Sequence, residues 1–145
     1  MTKKLTLLLL LLALLGSSAL AQRAFQLRLG LPAASVGIGL ESAFERNVVA
    51  NFYGDAVLNG PSFLLGGEVQ FKPDLGQFDR DFRGIRPYFG GGVGLFVGGN
   101  NPAIGISLSA GVEFALDAEA GLFLGGQSFF GNIRADRFLL GASFR

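Results

Sequence analysis

The side chains that could do chemistry in this sequence are carboxylates, hydroxyls and bases, because the chain contains no His and no Cys. Without His, the Ser-His-Asp arrangement and the commonest metal ligand are excluded; without Cys, thiol catalysis and disulfides are excluded. Two acids facing one cleft could still act as general acid and base on a glycan. Four glutamates occupy positions that fit such a cleft: Glu41, Glu68, Glu113 and Glu119.

Four bases follow the same pattern as these glutamates: Arg28, Lys72, Arg86 and Arg137. All eight residues alternate with apolar residues, which places them on the polar face of successive strands. A charge in a narrow interior is costly unless it is paired, and opposite charges on one face provide the partners. We therefore interpret the eight residues as candidates for a buried ladder of ion pairs. We predict no catalytic residue, no metal site and no cofactor.

The positions of these charges depend on eight segments in which apolar residues recur at every second position. This period is the signal of a β-strand, and no stretch after the first 21 residues keeps a helical period over three turns. Turn residues separate the segments, which are residues 25–31, 36–41, 48–58, 63–72, 88–97, 104–116, 118–127 and 137–144. An even number of strands with hairpin spacing predicts an up-and-down antiparallel barrel.

The composition of the polar faces decides which side of this barrel is apolar. They are rich in Gly and Ser, and charged residues make up only 16% of the chain. Gly weakens a strand on a water-facing surface, whereas small residues fit the narrow interior of an eight-stranded barrel. We therefore predict an all-β, eight-stranded antiparallel up-and-down β-barrel of the transmembrane type, with apolar side chains toward lipid. The alternative is a soluble exported β-barrel that binds a lipid or another apolar ligand in its interior.

Residues 1–21 have the form of a secretory signal peptide. Two lysines precede an apolar run, Leu5 to Leu15, and residues 19–21 (Ala-Leu-Ala) form a small-x-small cleavage site. The run is too short for a transmembrane helix, which needs about twenty residues. Cleavage before Gln22 leaves the barrel domain, residues 22–145. The formal net charge of +1 provides no basic surface for nucleic acid, which we do not expect as a partner.

A glycine-rich run and two strand endings carry a family resemblance: Arg86-Pro87-Tyr88-Phe89-Gly90-Gly91-Gly92-Val93-Gly94, Gly111-Val112-Glu113-Phe114 and Leu139-Leu140-Gly141-Ala142-Ser143-Phe144. With the eight segments and the signal peptide, the chain resembles the small outer-membrane β-barrel superfamily, which includes the transmembrane domain of outer-membrane protein A and opacity-type porin-like proteins. The resemblance implies the cell outer membrane of a diderm bacterium, contact with outer-membrane lipid, insertion by the barrel-insertion machinery, and a monomer. It also implies a structural, permeability or surface-interaction role without catalysis.

Three features depart from that family pattern. Family barrels usually end on an aromatic residue that the insertion machinery reads, whereas Phe144 is followed by Arg145. Family barrels carry Trp and Tyr girdles, whereas this chain has no Trp and the predicted register turns Tyr53 and Tyr88 inward. The one long connection, residues 73–84, falls on the periplasmic side if both termini do, whereas long loops normally face outside. We expect a lumen plugged by ion pairs. The family offers the analogy of an Arg-Glu pair that acts as a gate and can rearrange, and such a gate would let at most small ions through.

Overall fold

The computed structural model describes residues 23–59, 62–98 and 101–145. Eight strands form one closed barrel in which sequence neighbours pair antiparallel and the first strand pairs with the last. The strands are β1 (Arg23–Leu31), β2 (Ser35–Glu45), β3 (Val48–Val57), β4 (Ser62–Phe71), β5 (Ile85–Val97), β6 (Ala103–Ala115), β7 (Ala120–Gly131) and β8 (Ala135–Phe144). The predicted eight-stranded antiparallel barrel is therefore confirmed. The predicted signal peptide, residues 1–21, lies outside the described residues.

The two ends of the barrel differ in their connections. We call the end at which β1 begins and β8 ends the terminal end, and the opposite end the far end. The terminal end carries the long connection, residues 73–84, which contains two 3₁₀ helices, Leu75–Gln77 and Arg80–Phe82. The far end carries the four short connections that follow β1, β3, β5 and β7. In the part of the chain that the structure describes, no helix is long and apolar enough to cross a membrane.

Apolar side chains point outward along every strand, and polar side chains point into the lumen. The outward set is exposed and includes Leu27 on β1, Phe89 on β5 and Ile106 on β6. The inward set is buried and consists largely of amides, hydroxyls and charged groups. This distribution is opposite to that of a soluble barrel and is the one that a transmembrane barrel requires.

Four large aromatic side chains fill much of the lumen, and each lies against a glycine. A Cβ atom at that glycine would overlap the ring in every case. The pairs are Tyr53 with Gly66, Tyr88 with Gly125, Phe123 with Gly141, and Phe129 with Gly94. The high glycine content of the inner face therefore makes room for aromatic rings. Tyr53 and Tyr88 face inward and are buried, as the sequence register predicts.

Candidate functional site

The charged lumen is the candidate functional site, and its charges form two groups at different heights. The terminal group lies near the terminal end, and the far group lies toward the far end. The terminal group consists of Glu41, Lys72, Asp74, Arg86, Glu113 and Arg145. The far group consists of Arg28, Asp55, Glu68 and Arg137. Seven of the eight residues that the sequence nominates lie in these two groups.

Glu113 is the centre of the terminal group, and its side chain is fully buried. The Lys72 Nζ atom lies 2.6 Å from Glu113 Oε2 and 2.7 Å from Glu41 Oε2, so one ammonium joins two carboxylates. Arg86 Nη1 donates to Glu113 Oε1 at 3.1 Å, and Arg145 Nη2 donates to the same oxygen. Three cations therefore hold one carboxylate in place.

Asp74 ties this group to the long connection. Its carboxylate accepts hydrogen bonds from the backbone amides of Gly76 (2.8 Å) and Gly84 (3.2 Å) and from Arg86 Nε (3.3 Å). Burial alone would raise the pKa of Asp74, but these hydrogen bonds and the Arg86 charge outweigh burial and lower the pKa below its ordinary value. Asp74 and Gln77 border a partly open cavity of about 190 Å³, which reaches down to Lys72. We call this cavity the vestibule.

The far group is built around Asp55. Arg28 Nε lies 3.1 Å from Asp55 Oδ1, and Arg137 Nη2 lies 2.6 Å from Asp55 Oδ2. Both guanidinium groups also lie over the ring of Tyr53, at 4.1 Å and 5.7 Å from its centroid. Because an aromatic face attracts a cation, Tyr53 helps to hold both arginines beside one carboxylate.

Glu68 differs from the other lumen carboxylates, because the described residues provide it with no ion-pair partner. It accepts hydrogen bonds from Gln70 Nε2 (2.9 Å), Ser109 Oγ (2.7 Å) and Gln127 Nε2. The Oε1 atom of Gln127 in turn accepts a hydrogen bond from Arg137 Nε at 2.8 Å. Gln127 therefore links the carboxylate of Glu68 to an arginine of the far group through one neutral amide.

Between the described residues, little space remains in the middle of the lumen and toward its far end. The central cavity, bordered by Gln26, Asn51, Gln70 and Tyr88, has a volume of about 10 Å³. That volume is about what a single water molecule needs. Toward the far end, Leu64 and Phe129 pack against Tyr53, with Phe96 and Ile133 beside them. The lumen is therefore narrowest beyond the vestibule.

The position of Glu119 corrects one expectation from the sequence. Glu119 is exposed and lies in the turn between β6 and β7, outside the lumen. The Asp117 Oδ1 atom accepts hydrogen bonds from the backbone amides of Glu119 and Ala120, both at 2.7 Å. This capped turn holds the chain out of the strand until Ala120, so the alternation does not extend back to Glu119.

A second correction concerns the partners within the lumen. Glu68 was expected to pair with a base, but its donors are two amides and a hydroxyl. The sequence interpretation also missed Asp55 and Arg145, which make three of the ion pairs. Alternation contained the signal for both, because Asp55 follows Tyr53 and Arg145 follows Ser143 at the inward spacing of two residues.

The lumen carboxylates at the terminal end are engaged in ion pairs. Glu41 and Glu113 both bind the ammonium group of Lys72, so they act as ion-pair partners and not as a free acid and base. Among residues 23–59, 62–98 and 101–145, no three acidic side chains come together as a metal site requires. The geometry is that of an interior cross-linked by ion pairs and hydrogen bonds.

Comparison with solved structures identifies the fold. The chain is similar to Neisserial surface protein A, with 14% identity over 84% of this chain and 93% of that one, and a TM-score of 0.61. It is similar to a de novo designed transmembrane β-barrel (16% identity, 86% and 98% covered, TM-score 0.60) and to the Yersinia pestis outer membrane protein Ail (11%, 86% and 99%, TM-score 0.58). No protein-family model matches the chain, and no curated protein is significantly similar to it in sequence. The resemblance to small outer-membrane barrels is thereby confirmed at the level of the fold.

Proposed function

We propose that this chain is an integral β-barrel of the outer membrane of a diderm bacterium, exported through a cleaved signal peptide. Its role is structural, or concerns permeability or surface interactions, and it carries out no catalysis. It works as a monomer in contact with outer-membrane lipid and requires the barrel-insertion machinery for assembly. The lumen is plugged by the terminal group and the far group together with the amides between them.

One observation carries this proposal: the apolar and charged side chains are on the opposite sides from those of a soluble barrel. Outward side chains such as Leu29, Leu108 and Leu140 are exposed on every side of the barrel wall. Exposed apolar patches of this extent are found where a protein meets a membrane or a partner. A closed barrel also leaves no unpaired strand edge, which is the condition for crossing lipid with strands.

The plugged lumen is supported by the small volume of the central cavity. Among the described residues, the space between the vestibule and the far end has a volume of about 10 Å³, which supports a lumen without a continuous aqueous path. We therefore expect no stepwise conductance when the purified protein is added to planar lipid bilayers. Regular current steps would contradict the plugged lumen but would leave the membrane barrel itself intact.

The soluble alternative requires apolar faces that line an interior cavity. In the described residues the apolar faces point outward, and the interior is filled by polar and aromatic groups. The structure therefore offers no internal cavity that would suit a lipid, and it does not favour this alternative.

A charge placed on the outer wall tests the membrane proposal. Leu108→Arg puts a cation in the middle of β6, where it should destabilise a membrane-embedded barrel by about 2–4 kcal/mol, whereas Leu116→Arg, beyond the strand end, should cost at most about 1 kcal/mol. The measurement is urea unfolding in phospholipid bilayers, with the folded fraction read from the faster band of unboiled samples. Equal, small effects of the two substitutions, together with release of the wild type by osmotic shock alone, would refute the membrane location.

A further inference from the structure

The long connection at the terminal end, residues 73–84, is held against the barrel by defined contacts. Asp74 accepts hydrogen bonds from the amides of Gly76 and Gly84, at the two ends of the connection. Gln77 Nε2 donates to Asn47 Oδ1 in the β2–β3 turn at 2.9 Å. The connection therefore has a fixed polar side, which faces the vestibule.

The same connection exposes two aromatic rings. Phe78 is 77% exposed and Phe82 is 50% exposed, and Phe78 has the highest exposure of any large apolar side chain in the described residues. Arg80 and Arg83 are exposed beside them, and the structure gives neither arginine an ion-pair partner among the described residues. Phenylalanine with arginine is the combination that suits the boundary between headgroups and acyl chains, because an arginine can reach headgroup phosphates while its stem lies on apolar surface.

The barrel wall leads directly to these rings. Phe71 and Phe89 lie on the outer face of β4 and β5, with ring centroids 5.6 Å apart. Residues 73–84 join these same two strands, so Phe78 and Phe82 lie in the chain segment that continues directly from this apolar wall. Two rings on a short connection provide too little area for a stable protein interface, which buries roughly 800 Å² on each partner.

We propose that residues 73–84 form an interfacial anchor that places Phe78 and Phe82 in the headgroup region of the phospholipid bilayer at the terminal end. This proposal rests on the proposed membrane location of the barrel. The anchor fixes the depth of the terminal end in the membrane. It also takes on part of the role that tryptophan girdles have in other membrane barrels.

The absence of Trp from the sequence makes a direct test possible. Phe78→Trp introduces a single tryptophan into the full chain, which is refolded into phosphatidylcholine vesicles with and without brominated acyl chains. The matched controls are Phe89→Trp on the outer wall and Ala118→Trp in an exposed turn at the same end of the barrel. Each variant is checked for folding by the band shift between boiled and unboiled samples, and Phe82→Trp replaces Phe78→Trp if the latter does not fold.

We expect the Phe78→Trp emission to be shifted to the blue of Ala118→Trp and to be quenched by brominated lipid at least half as strongly as Phe89→Trp. A water-like, unquenched signal from Phe78→Trp alongside a quenched Phe89→Trp would overturn the anchor and leave the membrane barrel standing. A blue shift without quenching that grows with the protein-to-lipid ratio would also overturn it, since a second copy would then cover the rings. An unquenched Phe89→Trp in folded protein would instead contradict the membrane location itself.

Discussion

The two groups of charges in the lumen balance their charge in different ways. The terminal group contains three cations and three carboxylates, and most of its contacts are direct ion pairs. The far group contains two arginines and two carboxylates, but only Asp55 touches both arginines. The charge of Glu68 reaches the far group through the amide of Gln127. Each group is neutral as a whole, although Glu113 and Asp55 are each held by more than one cation.

Access to water separates the two groups. The arginines that bind Glu113 are partly exposed to the vestibule, at 25% for Arg86 and 15% for Arg145. The arginines that bind Asp55 are more enclosed, at 4% for Arg28 and 9% for Arg137. A cation that loses its partner lowers the stability of the fold more strongly the less water can reach it. We therefore expect the exposure of the partners of a carboxylate to predict its importance for stability better than the number of its ion pairs does.

The largest effect should follow from neutralising Asp55. Asp55→Asn leaves Arg28 and Arg137 beside each other without a carboxylate in direct contact, and we expect a loss of about 3–5 kcal/mol in the free energy of unfolding. Urea unfolding in phospholipid bilayers measures it. The double variant Asp55→Asn, Arg28→Gln removes one excess cation and should recover part of the loss. A double variant less stable than the single one would show that like-charge repulsion is not the cause.

Neutralising Glu113 should cost less, although Glu113 has three cationic partners. Glu113→Gln leaves cations that water in the vestibule can solvate, and Glu41 continues to pair with Lys72. We expect a loss of about 2–3 kcal/mol in the same bilayer unfolding measurement, the range for buried polar groups that lose a partner. If Glu113→Gln proved more damaging than Asp55→Asn, partner number would outweigh water access, and the comparison of the two groups would be wrong.

Breaking the link between Glu68 and Arg137 should have a smaller effect still. Gln127→Met keeps the length of the side chain but removes the hydrogen bonds that the amide makes with Glu68, Tyr53 and Arg137. Arg137 keeps Asp55, and Glu68 keeps Ser109 and Gln70, so we expect a loss of about 1–2 kcal/mol. A double-mutant cycle with Glu68→Gln measures the coupling. Strict additivity of the two substitutions would mean that Gln127 does not transmit the charge of Glu68 to the far group.

The sequence predicts faces better than heights in this barrel. Alternation with a period of two identifies the eight strands and the inward side of residues such as Arg28 and Glu41. Successive side chains of a strand point to opposite faces, so polar and apolar residues alternate where the two faces meet different surroundings. It does not identify partners across the lumen. Lys72 meets Glu41 and Glu113, which lie 31 and 41 residues away in the sequence, and this pairing depends on the tilt and stagger of the closed barrel.

One error occurs where a local interaction ends the alternation, and the other where the stagger of the barrel sets the partner. Glu119 has the sequence spacing of an inward residue, but the hydrogen bonds from Asp117 close a turn around it. Glu68 has the right face and the wrong expected partner, because amides and a hydroxyl rather than a base lie at its height. Side-chain capping and the stagger of the barrel do not depend on the alternation within a single strand. The alternating pattern of the sequence therefore does not predict them.

The smallest predicted effect concerns the polar side of the long connection and depends on pH. Because the folded-state pKa of Asp74 lies below its ordinary value of 3.8, the carboxylate stabilises the folded connection fully above that pH. This contribution is lost as the pH falls through the lower, folded-state pKa, when the acceptor for Gly76, Gly84 and Arg86 becomes protonated. The amide resonances of Gly76 and Gly84 should therefore move in a transition whose midpoint lies below pH 3.8, while barrel amides do not follow. The Asp74→Asn variant should show no such transition, and an unchanged transition in that variant would assign it to another group at the terminal end.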